Sequence, residues 1–600
     1  MENGNVTWLT HLEETLPPEG YGNRLSMFLI ALEAWRRGIK VNFFTIDNPD
    51  NKILVRYSLE YEGKIHRFES SRGDKLTAEA YEICENKHMT KEYLAKAGLK
   101  VPNGKRFDIT IEHNEIVEYA TSLDFPVVVK PLSENAGKGV FSNVDSNENL
   151  LETLEYLKNV LGYDEILVEE YIPGTEYRIL TINGKVYGAV NRIPANVTGN
   201  GTDTIQQLID KKNESRRLNP NISKKKIKID VEVLNSINRM GYNLDSIPAE
   251  GERLFLRAKS NVSSGGDPVD ITDELPSAIR EIAEKAAKAI PGLDMGGLDI
   301  IINPESGEST IIEINTKPMI GLHVFPIKGK PRDVVKPIVD LYFPETKNKE
   351  RSNLYFDFEA VLAPLDNISV KQVEVNPPQV EGRLHSSKFH IYGDGNGVAY
   401  RNWVRLTALK HGIQGHIQKI SSNCYEVIAA SIDAEVINNF KSMCYNGPEA
   451  FNVTEIEDLH WNKSVNIGFK IKRETEEELR LRIKKEKEKI QHLEEKVFAL
   501  QSQYKKKLQT VKDLRAGKRE LKETIKKLVE EKQELKRELK KKKQENINAE
   551  AHLKKMDQKI KQLEQESGEL SKKYKNVINS RSWKLTRPLR KLNSARDGKK

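Results

Sequence analysis

Cysteine is scarce in this chain, whose 600 residues include only Cys84, Cys424 and Cys444. Their wide spacing excludes a disulfide framework and a cysteine-ligated metal site. No run of 18 apolar residues occurs, so the sequence predicts no membrane-spanning helix. The N-terminus also lacks the basic and then apolar segment that is typical of a signal peptide. Together these absences predict a cytoplasmic protein.

Charge is distributed unevenly along the chain. The formal net charge is +8, but residues 471–600 contain 41 Lys and Arg against 22 Asp and Glu. That segment therefore carries +19 and the preceding part −11. The mildly acidic larger part is typical of cytosolic enzymes, and we expect no nucleic-acid partner. Six hundred residues exceed what one hydrophobic core supports, so several domains are expected.

The most informative stretch runs from residue 125 to residue 140. A run of valines, which favours a buried strand, ends at Lys130. A loop of small and polar residues follows and contains Gly137, Lys138 and Gly139. Such a loop can hold backbone N–H groups and an ammonium over a polyphosphate. An ordinary strand and glycine turn would explain the stretch equally well, because the GxxxxGK[ST] phosphate-loop motif is missing.

Two later strand-like segments carry acidic and amide side chains. In both, these polar residues alternate with aliphatic ones, so they share one face of a strand. The candidates are Asp299, Glu313 and Asn315. Two carboxylates and an amide suit a hard cation such as Mg²⁺ held against phosphates.

With the segments 86–98 and 166–176, these motifs resemble the ATP-grasp superfamily over roughly residues 87–344. Segments 199–209 and 256–270 are similar to parts of its glutathione-synthetase-like and cyanophycin-synthetase-like branch. The resemblance implies an α/β ATP-grasp fold. It also implies a ligase that uses ATP and Mg²⁺ (or Mn²⁺) to join a small-molecule carboxylate and an amine through an acyl phosphate. Neither substrate can be named, because pocket loops have no portable code.

The same resemblance implies roles for individual residues. Phosphate binding falls to Lys91 and Lys130, covered by the loop 133–139. Adenine would meet the backbone of Glu170, Tyr171 and Ile172, and the ribose would meet Glu176. Asp299, Glu313 and Asn315 would hold Mg²⁺. Arg257 would stabilise charge that develops on the acyl phosphate and the tetrahedral intermediate, with Arg178 and Asn261 as further candidates. The basic segment 224–228 is either a solvated surface or a contact for an acidic substrate.

Residues 381–472 resemble the acylphosphatase family, which implies a ferredoxin-like α+β sandwich. In that family an arginine that closes a glycine loop binds the phosphoryl group, and Arg401 matches it. The asparagine that orients the attacking water is replaced by Lys419. Hydrolysis of acyl phosphates is therefore an alternative function. It stays open because the glycine loop of this chain also differs from that of the family.

Residues 475–578 are rich in Lys, Glu, Leu and Gln. Steps of four and three from Leu479 to Val577 give 29 positions, of which 22 are apolar. This heptad pattern predicts a long, left-handed parallel coiled coil of about 150 Å that associates as a dimer. A single charged helix is the alternative, because lysine occupies some of these heptad positions. A third function is a nucleotide-binding scaffold whose coiled coil recruits partners in cell-surface polymer assembly.

The predicted domain order follows from these segments. It comprises an N-terminal α/β domain (1–85), the ATP-grasp domain (86–346), a linker (347–380), the acylphosphatase-like domain (381–472), the coiled coil (475–578) and a basic tail (579–600). The tail resembles a short C-terminal segment of bacterial glycosyltransferases of surface-polysaccharide assembly. It is predicted to contact an anionic membrane surface or a polysaccharide-assembly protein, and a disordered basic end fits equally well.

Overall fold

The computed structural model describes residues 8–47, 53–110, 113–132, 139–379, 383–472, 476–513 and 518–579. The chain divides into two compact units, Met1–Ile471 and Lys472–Lys600. Gly137, Lys138 and the tail residues 580–600 lie outside the described residues. Among the residues described, no helix is long and apolar enough to cross a membrane.

The first part of the larger unit is a helix packed on an antiparallel sheet. Its elements are α1 (Leu25–Arg36), β1 (Lys40–Asp47), β2 (Ile53–Tyr61), β3 (Lys64–Glu69), β4 (Arg72–Gly73) and α2 (Ala78–Glu85). Every residue of α1 is buried. A helix that is apolar on most sides must be covered on most sides, so α1 needs more than this sheet to pack against.

The next segment forms a four-stranded antiparallel sheet in the order β5-β8-β6-β7. Its elements are α3 (Lys87–Lys96), β5 (Gly104–Asp108), α4 (Asn114–Ser122), β6 (Val127–Pro131), β7 (Phe141–Val144), α5 (Asn147–Asn159) and β8 (Glu165–Glu170). The valine run of β6 lies in this sheet, with Val127 and Val129 fully buried.

A five-stranded sheet follows, in the order β13-β10-β9-β14-β15, with a small hairpin inserted into it. The elements are β9 (Thr175–Ile182), β10 (Lys185–Ile193), β11 (Asn196–Thr198), α6 (Ile205–Arg217), α7 (Val231–Arg239), β12 (Arg253–Phe255), β13 (Asp267–Asp270), α8 (Ser277–Ala289), β14 (Met295–Ile302), β15 (Ser309–Asn315), α9 (Gly321–Val324) and α10 (Val335–Tyr342). The insertion consists of the β11–β12 pair with α6 and α7, and it has its own small core.

Residues 347–380 are not the linker that the sequence suggests. They contain β16 (Leu354–Tyr355), α11 (Phe358–Asp366) and β17 (Gln372–Val375). β17 pairs antiparallel with β1 and so completes the first sheet. Phe358 of α11 is fully buried against Phe28 of α1. The chain thus returns to cover α1, and the linker interpretation was wrong because this burial depends on a partner more than 300 residues away.

The last part of the larger unit is a ferredoxin-like sandwich, as the sequence predicts. Its elements are β18 (His385–Gly395), α12 (Gly397–Lys410), β19 (Gln414–Lys419), β20 (Cys424–Ser431), α13 (Ala434–Asn446), β21 (Phe451–Leu459), β22 (Val465–Asn466) and β23 (Phe469–Lys472). The sheet order is β21-β18-β20-β19-β23, and both helices pack on one core.

The smaller unit contains two helices, α14 (Glu476–Asp513) and α15 (Lys518–Asn579), that pack against each other. Ion pairs join Lys487 to Glu550 (3.2 Å) and Glu494 to Lys543 (2.9 Å). As one partner advances along α14, the other recedes along α15, so the helices are antiparallel.

A continuous parallel coiled coil is therefore not the arrangement within this chain. Residues 514–517, which include Gly517, separate the two helices, and glycine is unfavourable inside a helix. The seam residues Ile483, Ile490 and Val497 are buried by α15 of the same chain. The heptad pattern was read correctly as a packing seam, but its period cannot distinguish an intramolecular partner from a second copy. Dimerisation stays a prediction.

Candidate functional site

Asp299, Glu313 and Arg178 form one cross-strand row on the five-stranded sheet. Asp299 of β14 pairs directly with Arg178 of β9 on one side and with Glu313 of β15 on the other. The Arg178 Nη2 atom donates to Asp299 Oδ2 at 2.9 Å. Gly297 makes room for this arginine, because a Cβ there would lie 3.1 Å from Arg178 Nη1. The row thus places two carboxylates side by side on one face.

The carboxylates of Asp299 and Glu313 lie close enough to affect each other's ionisation. Burial and the charge of Asp299 raise the pKa of Glu313. Burial opposes ionisation of Asp299, but Arg178 and Arg192 outweigh it and lower its pKa. Asn315 donates to Glu313 Oε1 at 2.8 Å, so the third predicted ligand joins the pair.

This donor set fits a hard divalent cation. A cation would relieve the repulsion between the two carboxylates, and oxygen ligands are what Mg²⁺ prefers. Asp299 Oδ1 forms an ion pair with Arg178 Nε, so a metal would share this carboxylate with the arginine. In the described part of the chain no group of three His, Cys, Asp or Glu residues could hold a metal. The candidate site therefore offers two carboxylates and an amide.

Arg192 of β10 belongs to this site and was missed in the sequence. Its Nη2 atom lies 3.0 Å from Asp299 Oδ2 and also forms an ion pair with Glu176. It therefore joins the predicted ribose contact to the predicted metal ligand. Arg192 had no sequence signal, since an arginine in a strand is usually a surface residue.

A buried charge cluster connects α3 to the four-stranded sheet. Glu169 of β8 is 3% exposed and forms ion pairs with both Lys91 and Lys130, the latter at 2.6 Å. Burial opposes the charge of Glu169, but the two ammonium groups outweigh it and lower its pKa. The two predicted phosphate-binding lysines are thus brought together, held by a carboxylate that sequence reasoning passed over. The sequence does carry a signal for this carboxylate, because it directly follows the aliphatic run Ile166-Leu167-Val168 of a buried strand. A buried acid is usually paired with a base.

Lys87 links this cluster to the carboxylate row. It lies four residues before Lys91 on α3, so both side chains share one helix face. Lys87 Nζ donates to the carbonyl of Leu132, at the start of the glycine loop, at 3.3 Å. Lys87 and Glu313 also line one small cavity of about 30 Å³. Lys87 therefore lies near both Glu313 and the cluster of Lys130 and Glu169.

The predicted nucleotide contacts lie where the two sheets meet. Glu170 ends β8, and its carboxylate accepts from the backbone N of Asn103 at 2.9 Å. Tyr171 is 37% exposed and Ile172 follows it before β9 begins. Gly139 lies just before β7 with a positive φ of 69°, which favours glycine. The segment predicted to bind adenine therefore lies in the connection between β8 and β9.

Arg257, predicted to be catalytic, lies in a different local environment. Its guanidinium forms ion pairs with Asp230 (2.6 Å) and Glu232, at the start of α7 in the insertion. Asn261 caps a short turn by accepting from the N–H of Ser263 at 2.9 Å. Between them, Lys259 donates to the carbonyl of Val140 beside the glycine loop. The segment thus reaches the nucleotide side, while Arg257 itself is held by the insertion.

The basic segment 224–228 borders a cavity of about 850 Å³. Its lining residues are Pro18, Glu19, Tyr21, Gly22, Asn23, Arg24, Lys224 and Lys225. Among the residues described, neither lysine forms an ion pair. Burial and nearby Arg216 lower the pKa of Lys225 to about 8. Its ammonium contacts Met319 Sδ at 3.8 Å, four residues after Asn315, so a cationic wall lies next to the metal-site loop.

Arg401 is the fifth residue of α12. Its Nε donates to the carbonyl of Gly397 at 3.2 Å, which folds the guanidinium back toward the start of the helix. The guanidinium lies 6.0 Å from the ring centre of Tyr425. Lys419 and Tyr425 are cross-strand partners on β19 and β20. The guanidinium predicted to bind a phosphoryl group therefore lies near the N-terminus of α12, as the acylphosphatase resemblance implies.

Comparison with known proteins yields two family matches. Residues 104–236 match the ATP-grasp domain of prokaryotic glutathione synthetase, and residues 387–471 match acylphosphatase. A cyanophycin synthetase of Geminocystis herdmanii is 33% identical over 296 residues, 48% of this chain and 33% of that protein. The glutathione biosynthesis bifunctional protein GshAB of Clostridium perfringens is 35% identical over 332 residues, 53% of this chain and 41% of that protein.

A solved structure, the bifunctional glutathione synthetase of Pasteurella multocida, is 30% identical. The match covers 50% of this chain and 42% of that one, with a TM-score of 0.39. The chain thus spans about a third to two fifths of the length of the curated relatives it matches. The two family matches confirm both resemblances seen in the sequence: residues 104–236 match an ATP-grasp domain of the glutathione synthetase type, and residues 387–471 match acylphosphatase.

Proposed function

We propose that this chain is an ATP-dependent carboxylate–amine ligase. The observation that carries the proposal is the pairing of Asp299 with Glu313, joined by Asn315 and facing the cluster of Lys87, Lys91 and Lys130. The neighbouring carboxylates of Asp299 and Glu313 repel each other and favour a bound cation. Lys91 and Lys130 exceed Glu169 by one positive charge and favour a bound anion. Mg²⁺ and the phosphates of ATP together satisfy both requirements.

The reaction has two steps. An oxygen of the substrate carboxylate attacks the γ-phosphorus while the bond to the ADP oxygen breaks, which gives an acyl phosphate and ADP. The amine nitrogen then bonds to the acyl carbon, the carbon–oxygen bond to phosphate breaks, and the nitrogen loses a proton. Bound Mg²⁺ would supply positive charge to the phosphate oxygens, and its ligands here would be Asp299, Glu313 and Asn315.

The chain's own groups hold the reactants. Lys91 and Lys130 would exchange Glu169 for phosphate oxygens, because a dianion competes for both ammonium groups. Glu176, fixed by Arg192, would accept from the ribose hydroxyls. Arg257 would act on the acyl phosphate only after leaving Asp230 and Glu232, which makes its role dependent on movement of the insertion.

The cationic cavity favours an acidic substrate. Lys224 and Lys225 line this cavity together with Glu19, and their two ammonium groups exceed that single carboxylate. Its volume of about 850 Å³ lies within the usual range for small-molecule sites. We therefore expect Lys225→Glu to raise the KM for an acidic carboxylate substrate more than the KM for ATP.

ADP release measured against a panel of amino acids and short peptides tests the proposal. Turnover should require both a carboxylate and an amine. Glu313→Gln should reduce it to background at saturating Mg²⁺, whereas Glu308→Gln, at an exposed ion pair with Lys100, should leave it unchanged. Near-normal ADP release by Glu313→Gln would contradict the metal assignment. Hydrolysis of an acyl phosphate without ATP would favour the hydrolase function. Absence of both activities would favour the scaffold function.

A further inference from the structure

The hydroxyl of Tyr425 points into the start of α12. A Cβ placed on Gly397, the first residue of that helix, would overlap the Tyr425 oxygen. Tyr425 is only 3% exposed, and its ring packs between Tyr400 and Phe451. Glycine at position 397 is what allows this approach, so the hydroxyl is fixed against the helix N-terminus.

The hydroxyl of Tyr425 is a donor that a ligand could use. In the described part of the chain no group forms a hydrogen bond with the Tyr425 oxygen. Burial raises the pKa of Tyr425, so the phenol stays protonated near neutral pH and can donate. A hydroxyl that no described residue accepts from can donate to a ligand at the start of α12.

Other donors converge on the same point. The amides of Gly397 and Val398 open α12, where backbone N–H groups lack acceptors within the helix. The next amide, that of Ala399, is already capped by Asn396 at 3.1 Å. The Arg401 guanidinium folds back to Gly397 and lies beside the Tyr425 ring. A helix N-terminus with a cation and a neutral donor suits a compact dianion.

We propose that Tyr425 is a ligand-binding residue of the acylphosphatase domain, whose hydroxyl donates to a phosphoryl oxygen held between Arg401 and the N-terminus of α12. The arginine is implied by the family, whereas the tyrosine is a feature of this structure. Tyr425 is the cross-strand partner of Lys419. Lys419 occupies the position at which the family has its water-orienting asparagine. A third donor to the phosphoryl group stabilises the bound state, and it does not replace the missing amide, which can both donate and accept. The domain is thus built to hold a phosphoryl group more than to hydrolyse it.

The experiment titrates the full-length chain with inorganic phosphate and with phenylphosphonate, a non-hydrolysable probe, by calorimetry. Tyr425→Phe removes only the oxygen and should weaken binding of both probes about tenfold, the usual effect of losing a hydrogen bond to a charged group. Arg401→Lys should weaken it as well. Tyr392→Phe, which removes a hydroxyl bonded to Glu457 on the same sheet, is the matched control and should bind as the unaltered chain does.

Because the ATP-grasp domain also accepts phosphates, ATP binding is measured in each variant and should not change. Equal phosphate affinity in Tyr425→Phe and the unaltered chain would overturn the proposal. Tighter binding by Tyr425→Phe would also overturn it, since the hydroxyl would then obstruct the site. If Tyr425→Phe unfolds at a lower temperature, Tyr425→His, which restores a donor on a ring, should recover affinity. Failure of that recovery would count against the hydroxyl.

Discussion

Replacing Glu169 by glutamine tests the buried cluster of Lys91, Lys130 and Glu169. The substitution keeps the size of the side chain and removes its charge, which leaves two ammonium groups in side chains that are 11% and 8% exposed. Removing one partner of a buried ion pair typically costs about 3–5 kcal/mol. In a unit of this size we expect the thermal unfolding midpoint to fall by a few degrees.

ATP should reverse part of this loss. Its phosphates are the expected partners of both lysines, and in the variant they no longer compete with Glu169. A ligand present at 100 times its Kd stabilises a protein by about 2.7 kcal/mol, and a tighter Kd raises that figure. We therefore expect ATP to raise the midpoint of Glu169→Gln more than that of the unaltered chain, with circular dichroism as the measurement.

The pH dependence supplies a second arm. The folded-state pKa of Glu169 is lowered, so its stabilising contribution is complete above the unfolded value of about 4.3. That contribution is lost as the pH falls through the folded value. The stability difference between the two proteins should therefore shrink in acid. Glu165→Gln, which breaks an exposed pair with Arg106 at the start of the same strand, should cost about 1 kcal/mol or less. The reasoning would be refuted if Glu169→Gln and Glu165→Gln lost equal stability. It would also be refuted if ATP raised the unfolding midpoint of Glu169→Gln no more than that of the unaltered chain.

Three further predictions concern other parts of the chain. Ile490→Asp should lower the helix content of residues 472–600 measured at 222 nm, because Ile490 is 9% exposed in the hairpin, whereas Phe498→Asp, at a residue that is 74% exposed, should not. The predicted dimer should make the melting temperature of that helical signal rise with protein concentration, and a midpoint independent of concentration would leave only the intramolecular pairing of α14 with α15. Benzoyl phosphate should be hydrolysed poorly by the full chain and faster by Lys419→Asn, and robust turnover by the unaltered chain that disappears in Arg401→Ala would favour the hydrolase.

Local sequence patterns predicted the strands and helices whose buried face can be read from the spacing of their own residues. The valine run before Lys130 is a buried strand, and the alternation around Asp299 and Glu313 places both on one face. Such periodicities survive folding because a strand or helix needs one consistent buried side. The glycine loop likewise predicted the start of α12 at Gly397, since a helix N-terminus is a local feature.

What only the tertiary structure decided is which groups meet across long separations. Glu169 with Lys91, and Arg192 with Asp299, are pairs whose burial comes from packing between elements. A single sequence cannot show this, because a charged residue looks the same whether solvated or paired. The return of residues 354–375 to α1 and the antiparallel pairing of α14 with α15 have the same cause. A sequence by itself determines which face of an element must be covered, whereas the packing of the whole chain determines what covers it.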